Sequence, residues 1–258
     1  MFKGWLFMKY SENQINEMIK TYRESLKPLW KKLHTEQTPR GKDMEKPSVV
    51  KTYNEGEIVV LSQDVNDLGK KSVYDTIMDR RSIRKYTDEI MSFNELSYLC
   101  KLTCHIRMNG GSYALGVVPT GGARNSLETY IYVNRVEDLE SGLYHYMKDT
   151  GNLRLINKDI TNDMVNESLM GQLRNANVVF YWTTIPYRSE YKYSFTAHKM
   201  IAMEAGHACQ NLYLAAESID YGVVALCAYN QEEADKLLSL NEEEFVVYAA
   251  TVGKKNKE

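Results

Sequence analysis

Residues 80–86 read Arg80-Arg81-Ser82-Ile83-Arg84-Lys85-Tyr86, four cations and a serine hydroxyl within seven residues. The chain around them carries a net charge of −2 over 258 residues, so no overall field draws it to nucleic acid or to an anionic membrane. This local positive charge needs a local explanation. A phosphate ester supplies one, because arginine presents a planar fork of donors, serine adds a hydroxyl and the main chain adds N–H groups. Spacing alone leaves a second reading open, in which these cations are solvated or paired with Asp75, Asp79 and Asp88.

With 43% hydrophobic and 26% charged residues, the chain can form one large domain with a substantial core, or two small ones. Its four cysteines, Cys100, Cys104, Cys209 and Cys227, form no CxxC pair and sit beside no histidine at zinc spacing, so no metal site is expected. The apolar start over residues 1–9 is too short for a signal sequence and is soon followed by charge, and no long apolar run follows. A cytoplasmic protein without a membrane or nucleic-acid partner is expected.

Outward from the basic stretch, Ser72 caps a short helix through Met78, and Ser92-Phe93-Asn94-Glu95 is a capping box opening a second helix. Turn residues dominate NGGSY and PTGGARN (119–125). Residues 128–133, 142–146 and 153–156 then alternate like the strands of an antiparallel meander. The continuous apolar run at 177–184 predicts a central strand buried on both faces. Residues 195–219 predict the longest helix, apolar almost all round, in a core or at an extensive subunit interface. Strands at 223–228 and 245–252 flank a short helix near Ala234. Upstream, residues 12–34 carry apolar positions at helical spacing, interrupted by Pro28, and form either a helix on its own domain or an arm wrapping a dimer partner. Residues 34–69 read as a polar surface connection. The pattern is α+β, an antiparallel mixed sheet flanked by helices, with residues 1–70 as an N-terminal helical and extended segment and 71–258 as the main domain.

The order helix, RRSIRKY, capped helix resembles the opening of the flavin-dependent nitroreductase superfamily. PTGGARNSLETYIYV, followed by NRV, GLYHY and a final strand, is similar to its SagB-type branch, as is the long helix EAGHACQNLYLAA. The resemblance spans roughly residues 72–253. It implies a nitroreductase-like fold, an intertwined homodimer with FMN at the interface, and two-step turnover in which one substrate reduces the flavin and another reoxidises it. NAD(P)H as electron donor and a small-molecule or peptide substrate are further implications.

Carried over residue by residue, Arg80, Arg81, Ser82 and Arg84 contact the FMN phosphate and ribityl chain, and Lys254 or Lys255 of VGKK adds a second basic contact. Pro119, Thr120, Gly121 and Gly122 lie beside the isoalloxazine, since glycine lets main chain approach a flat ring. The resemblance gives Lys192 and Tyr193 the catalytic role, in which a lysine desolvated near the flavin acts as base and the tyrosine relays or orients a proton. In the long helix, His207, Gln210 and Asn211 are expected to be buried with hydrogen-bond partners, and Gly206 to mark a close helix approach. One departure stands out. Where the branch carries A-L-Y-P-L-E, this chain has Ala123-Arg124-Asn125-Ser126-Leu127-Glu128, replacing an apolar wall and a proline by polar groups. Three activities follow from the resemblance: azoline (thiazoline or oxazoline) dehydrogenase in peptide modification, NAD(P)H-dependent reductase of nitroaromatics or quinones, and a flavin-binding module without turnover.

Overall fold

The apolar run at 177–184 forms a strand, Val178–Thr184, with every residue buried, in the middle of a seven-stranded sheet. A computed structural model of the chain describes residues 10–256; the apolar start over residues 1–9 lies outside them. In chain order the elements are α1 (Glu12–Ser25), β1 (Ile58–Val59), α2 (Val73–Asp79), α3 (Phe93–Cys104), β2 (Ile106–Asn109), β3 (Ala114–Gly116), β4 (Leu127–Val133), β5 (Gly142–Met147) and β6 (Asn152–Asn157). Then follow α4 (Asn162–Ser168), β7 (Val178–Thr184), α5 (Tyr187–Tyr193), α6 (Ala197–Glu217), β8 (Tyr221–Leu226), α7 (Gln231–Leu237) and β9 (Phe245–Lys254).

The large sheet runs β1-β6-β5-β4-β7-β9-β8, and β2 pairs with β3 as a separate hairpin. Every ladder among these strands is antiparallel. Among the described residues, parallel pairing enters as single bridges, Ser82 to Val223 and Met91 to Val136, beside these antiparallel ladders.

Alternation along β7 divides the core. Phe180 and Trp182 pack with α3 and α6, through Leu99, Ile201, Ala208 and Leu212. Val179 and Tyr181 face the opposite side, against Val165 and Leu169 near α4 and Ala234 and Leu237 of α7. Period-two side-chain direction thus buries one strand between two helical layers. The Ser92 capping box forms as expected, with Glu95 N donating to Ser92 Oγ at 3.2 Å and Ser92 N to Glu95 Oε2 at 2.8 Å.

In the first seventy residues, α1 does not meet the reading of a helix packed on its own domain, and the polar connection is not confined to the surface. No residue of α1 is buried, and Tyr22 (66% exposed) and Leu26 (66%) show its apolar side uncovered, so the helix does not pack as an element of this chain's own core. Pro28 does end the helical run, which is followed by single 3-10 turns at Trp30–Lys32, Thr35–Gln37 and Arg40–Lys42. The polar connection is in turn partly internal: Leu61 and Val65 enter the main core, Val49 and Val50 pack on Ile106 and Ala114, and β1 extends the sheet edge. Single apolar anchors spaced along a loop show no period, which is why the sequence hid them.

Candidate functional site

The basic stretch lies across the ends of β8 and β9. Ile83 N donates to Val223 O at 3.0 Å and Thr87 N to Lys254 O at 3.0 Å, while Tyr86 bridges to Lys255. Close approach is possible because Gly222 and Gly253 face each other in the ladder. A Cβ on Gly222 would stand 2.5 Å from Ile83 Cβ, and one on Gly253 would stand 2.3 Å from Tyr86 Cγ. With Ile83 and Tyr86 half-buried on this glycine floor, Arg81, Arg84 and Lys85 are left exposed. The segment is held by main chain and apolar contact, leaving its charges free for other use.

The neighbouring carboxylates bond elsewhere, although the Arg81 charge, after Lys71, helps hold Asp79 below the usual carboxylate range. Asp79 pairs with Lys71 at 2.9 Å, Asp75 accepts from the Ser72 hydroxyl at 2.6 Å, and Asp88 accepts from Asn175 Nδ2 at 2.7 Å. Arg81 reaches only the carbonyls of Met78 and Arg80, and Arg84 only that of Ser82. Arg80 lies over the Tyr213 ring at 5.3 Å, and Ser82 Oγ is 3.0 Å from the same tyrosine's hydroxyl. Among the described residues no carboxylate pairs with Arg80, Arg81 or Arg84. Sequence reading missed Tyr213, which joins this stretch to α6 and also accepts the N–H of Ala225.

VGKK meets RRSIRKY through its backbone, but both ammoniums are engaged elsewhere. Lys254 Nζ is 3.6 Å from Glu95 and lies over the Tyr221 ring, and Lys255 Nζ pairs with Glu217. Apart from Lys85, the cations here without an acid partner are therefore arginines.

The other motifs come together in a second cluster. Gly121–Ala123 form a 3-10 turn with Gly122 at φ +61°, the left-handed region. A Cβ on Gly122 would lie 2.2 Å from the Tyr193 hydroxyl and 3.0 Å from Lys192 Nζ, and one on Gly121 would lie 1.9 Å from Met200 Cε. The two glycines thus admit the candidate catalytic pair and α6. Pro119 O is 3.3 Å from His207 Nδ1, and Thr120 Oγ1 accepts from Asn125 N at 3.3 Å. Lys192 and Tyr193, both half-buried, end α5, with Lys192 Nζ 5.1 Å from the Tyr193 ring centre and Trp30 edge-on to that ring at 5.6 Å.

The nitroreductase family model matches residues 77–254, more than two thirds of the chain. The chain belongs to the nitroreductase family. A protein of Methanocaldococcus jannaschii named as a nitroreductase is 26% identical over 178 residues, 68% of this chain and 88% of its own. An Anabaena variabilis structure named as a nitroreductase superposes with a TM-score of 0.59 at 28% identity, over 70% of this chain and 37% of that one. The present chain therefore corresponds to well under half of that protein. Two structures share the fold at lower identity. One is from Ralstonia eutropha (TM-score 0.65, 18% identity, 82% and 96% of the two chains). The other is the E. coli microcin synthetase complex with truncated pro-MccB17 bound (TM-score 0.61, 17%, 96% of both). Within this nitroreductase-family chain, the matched range includes residues 80–84, 119–122, 192–193 and 254, and leaves out Lys255 and everything before residue 77.

The polar turn 123–128 caps a buried charge network under α5. Glu128 Oε1 accepts from Arg188 Nη1 at 2.6 Å and lies 3.4 Å from Lys148 Nζ, while Oε2 lies 3.0 Å from His145 Nε2. Burial alone would raise the Glu128 pKa, but Lys148, Arg188 and His145 overcome it and hold the carboxyl well below the usual range. Beside it, burial pushes Glu204 up to about 7 against the pull of Lys148 and of the hydrogen bond from Ser126 Oγ (3.0 Å). Arg124 Nε donates to the carbonyl of Arg188 at 2.6 Å, fastening α5 and its terminal Lys192-Tyr193 to this network.

On α6 the structure corrects the expectations for His207, Gln210 and Gly206 and meets the one for the hydrogen bonds of Asn211. His207 and Gln210 are exposed, Asn211 is half-buried with its amide donating to Leu102 O and Val117 O, and a Cβ on Gly206 would meet nothing within 4 Å. A helix apolar all round here has one open face, so Gly206 marks space rather than close contact. Among the described residues, no cluster of metal-ligating side chains occurs and no helix is long and apolar enough to cross a membrane.

Proposed function

We propose that this nitroreductase-family oxidoreductase uses FMN, with the phosphate held by Arg80, Arg81, Ser82 and Arg84. The observation that carries the reading is a run of guanidiniums without a carboxylate partner on a rigid glycine floor, while Asp75, Asp79 and Asp88 are bonded elsewhere. Planar forks free of acids suit a phosphate dianion. Lys254 and Lys255 would add their positive field while remaining paired with Glu95 and Glu217. The main chain of Pro119, Thr120, Gly121 and Gly122 would face the ring system.

Bound FMN would supply the two-electron acceptor that the side chains of this chain lack. Lys192 would take the substrate proton and Tyr193 would orient it, a role supported by their closeness to Gly122 and by the packing of Trp30 on Tyr193. This pair favours the SagB-type reading, dehydrogenation of an azoline ring in a modified peptide. A second reading, NAD(P)H-dependent reduction of a nitroaromatic or quinone, draws support from the family match and the nitroreductase name of the Methanocaldococcus jannaschii relative. A cytoplasmic homodimer fits both readings. Support comes from the uncovered apolar side of α1, from exposed Met203 (53%) on α6, and from an apolar cleft of about 620 Å3 between α6 and β9 lined by Ile201, Ala205 and Phe245.

Reconstitution tests the reading. The purified chain should take up FMN and turn yellow, and Lys192→Ala should keep the flavin while losing turnover. A chain that cannot be reconstituted removes the proposal, and flavin bound with no reduction by NADPH and no azoline oxidation leaves a binding module without turnover.

A further inference from the structure

Beside Lys192 and Gly122 lies a cavity of about 220 Å3 into which four cationic side chains converge: Arg40, Lys46, Arg124 and Lys192. Ser112 and Tyr113 add hydroxyl side chains, and among the described residues no carboxylate lines it. Arg124 is the central member. It is 5% exposed, donates from Nε to Arg188 O at 2.6 Å and from Nη1 to Ser112 O, and stacks over the Tyr191 ring at 5.5 Å. Its Nη2 is buried and, among the described residues, has no hydrogen-bond partner. A buried guanidinium with an unsatisfied N–H and no facing acid is costly. Burial pushes its pKa down, and nearby Arg188 and Arg40 push the same way. An anion in the cavity would offset the mutual repulsion of these cations.

We propose that this cavity is an anion subsite beside the candidate base, taking a carboxylate or phosphate group and seating its carrier against Gly122 and Lys192. Two of its cations, Arg40 and Lys46, come from the segment before residue 77, outside the family match. That segment is pinned to α5 where Tyr187 donates its hydroxyl to Glu45 O at 3.0 Å and Arg188 Nε donates to Ser48 O at 2.8 Å. Arg124 belongs to the turn in which this chain departs from the apolar pattern of the branch it resembles. The two features that set this chain apart therefore meet in one pocket and select for acidic ligands. Describing the ligand as a substrate rests on the reading of Lys192 as the catalytic base; anion binding itself does not.

Calorimetric titration of the full chain with inorganic phosphate and, separately, benzoate tests this at constant ionic strength with chloride as background. The chain is saturated with FMN where it takes FMN up and is used as purified where it does not. Saturable binding of at least one probe is expected, weakened about tenfold by the double substitution Arg40→Gln/Lys46→Gln and abolished by Arg124→Gln. The probe that binds tells a carboxylate ligand from a phosphate ester. No saturable heat with either probe overturns the proposal. So does binding unchanged in the double variant, or phosphate binding that disappears in Arg84→Ala while surviving in Arg124→Gln. Arg40 and Lys46 are both exposed, so the double variant decides the matter even where Arg124→Gln does not fold. Flavin absorbance, read on the same samples, scores the cofactor assignment separately.

Discussion

Arg188 and Arg84 show what surroundings do to one side-chain type. Arg188 is 2% exposed, bonds Glu128 at 2.6 Å and is further held by the carbonyls of Ser48 and Asn125. Arg84 is exposed and reaches only the carbonyl of Ser82. The first is one part of a closed network that fixes α5; the second is set out on a backbone anchored by Ile83 and Tyr86. A partnered buried charge does structural work, and its loss leaves other charges stranded. An acid-free exposed cation on rigid backbone is available to a ligand.

The largest effect should come from breaking the closed side. Glu128→Ala leaves Arg188, Lys148 and His145 facing one another without their carboxylate and should cost about 3–5 kcal/mol, read as a fall in denaturant midpoint. A pH series sharpens the same side. With its folded pKa near 7, above the ordinary 4.5, Glu204 keeps its proton while the unfolded chain has already ionised. Its contribution to stability is therefore lost as pH rises from about 4.5 to about 7, by about 3 kcal/mol. Glu204→Gln should flatten the stability curve across that window. Glu128, held low, works with the opposite sign: the stability it contributes is present above the ordinary carboxylate range and is lost as pH falls towards its folded pKa.

A smaller effect is expected at the boundary between the two regimes. Gly253→Ala places a Cβ 2.3 Å from Tyr86 Cγ, and lifting the strip should cost about 1–3 kcal/mol and weaken FMN binding together. Arg84→Ala should be the mildest for the fold, leaving the unfolding midpoint within experimental scatter while FMN affinity falls about tenfold.

Local rules make much of this architecture legible in the sequence. The Ser92 box, the Ser72 cap and the alternating or continuous apolar strands depend on residues near one another along the chain, and each forms within a few residues of its expected place. Helix α5 is hidden because buried Arg188 and Ser189 interrupt the apolar period that would have marked it. The Glu128 network joins residues 17 to 60 positions apart, and no short-range pattern reports such pairing. The open face of α6 is obscured by composition: alanine, glycine and methionine are equally compatible with burial and with a surface awaiting a partner. At the site, RRSIRKY announces its charge. Its aspartate neighbours being bonded elsewhere, and Lys254 and Lys255 already having acid partners, are facts of three-dimensional pairing that no spacing along the chain reveals.

The most direct test compares the affinities of FMN and riboflavin, which differ by the phosphate alone, for the wild-type chain and for Arg81→Ala/Arg84→Ala. The account predicts that wild type binds FMN at least about a hundredfold more tightly than riboflavin and that the double variant loses most of that gap. Equal affinity for the two flavins in wild type, or a gap that survives in the variant, would contradict it.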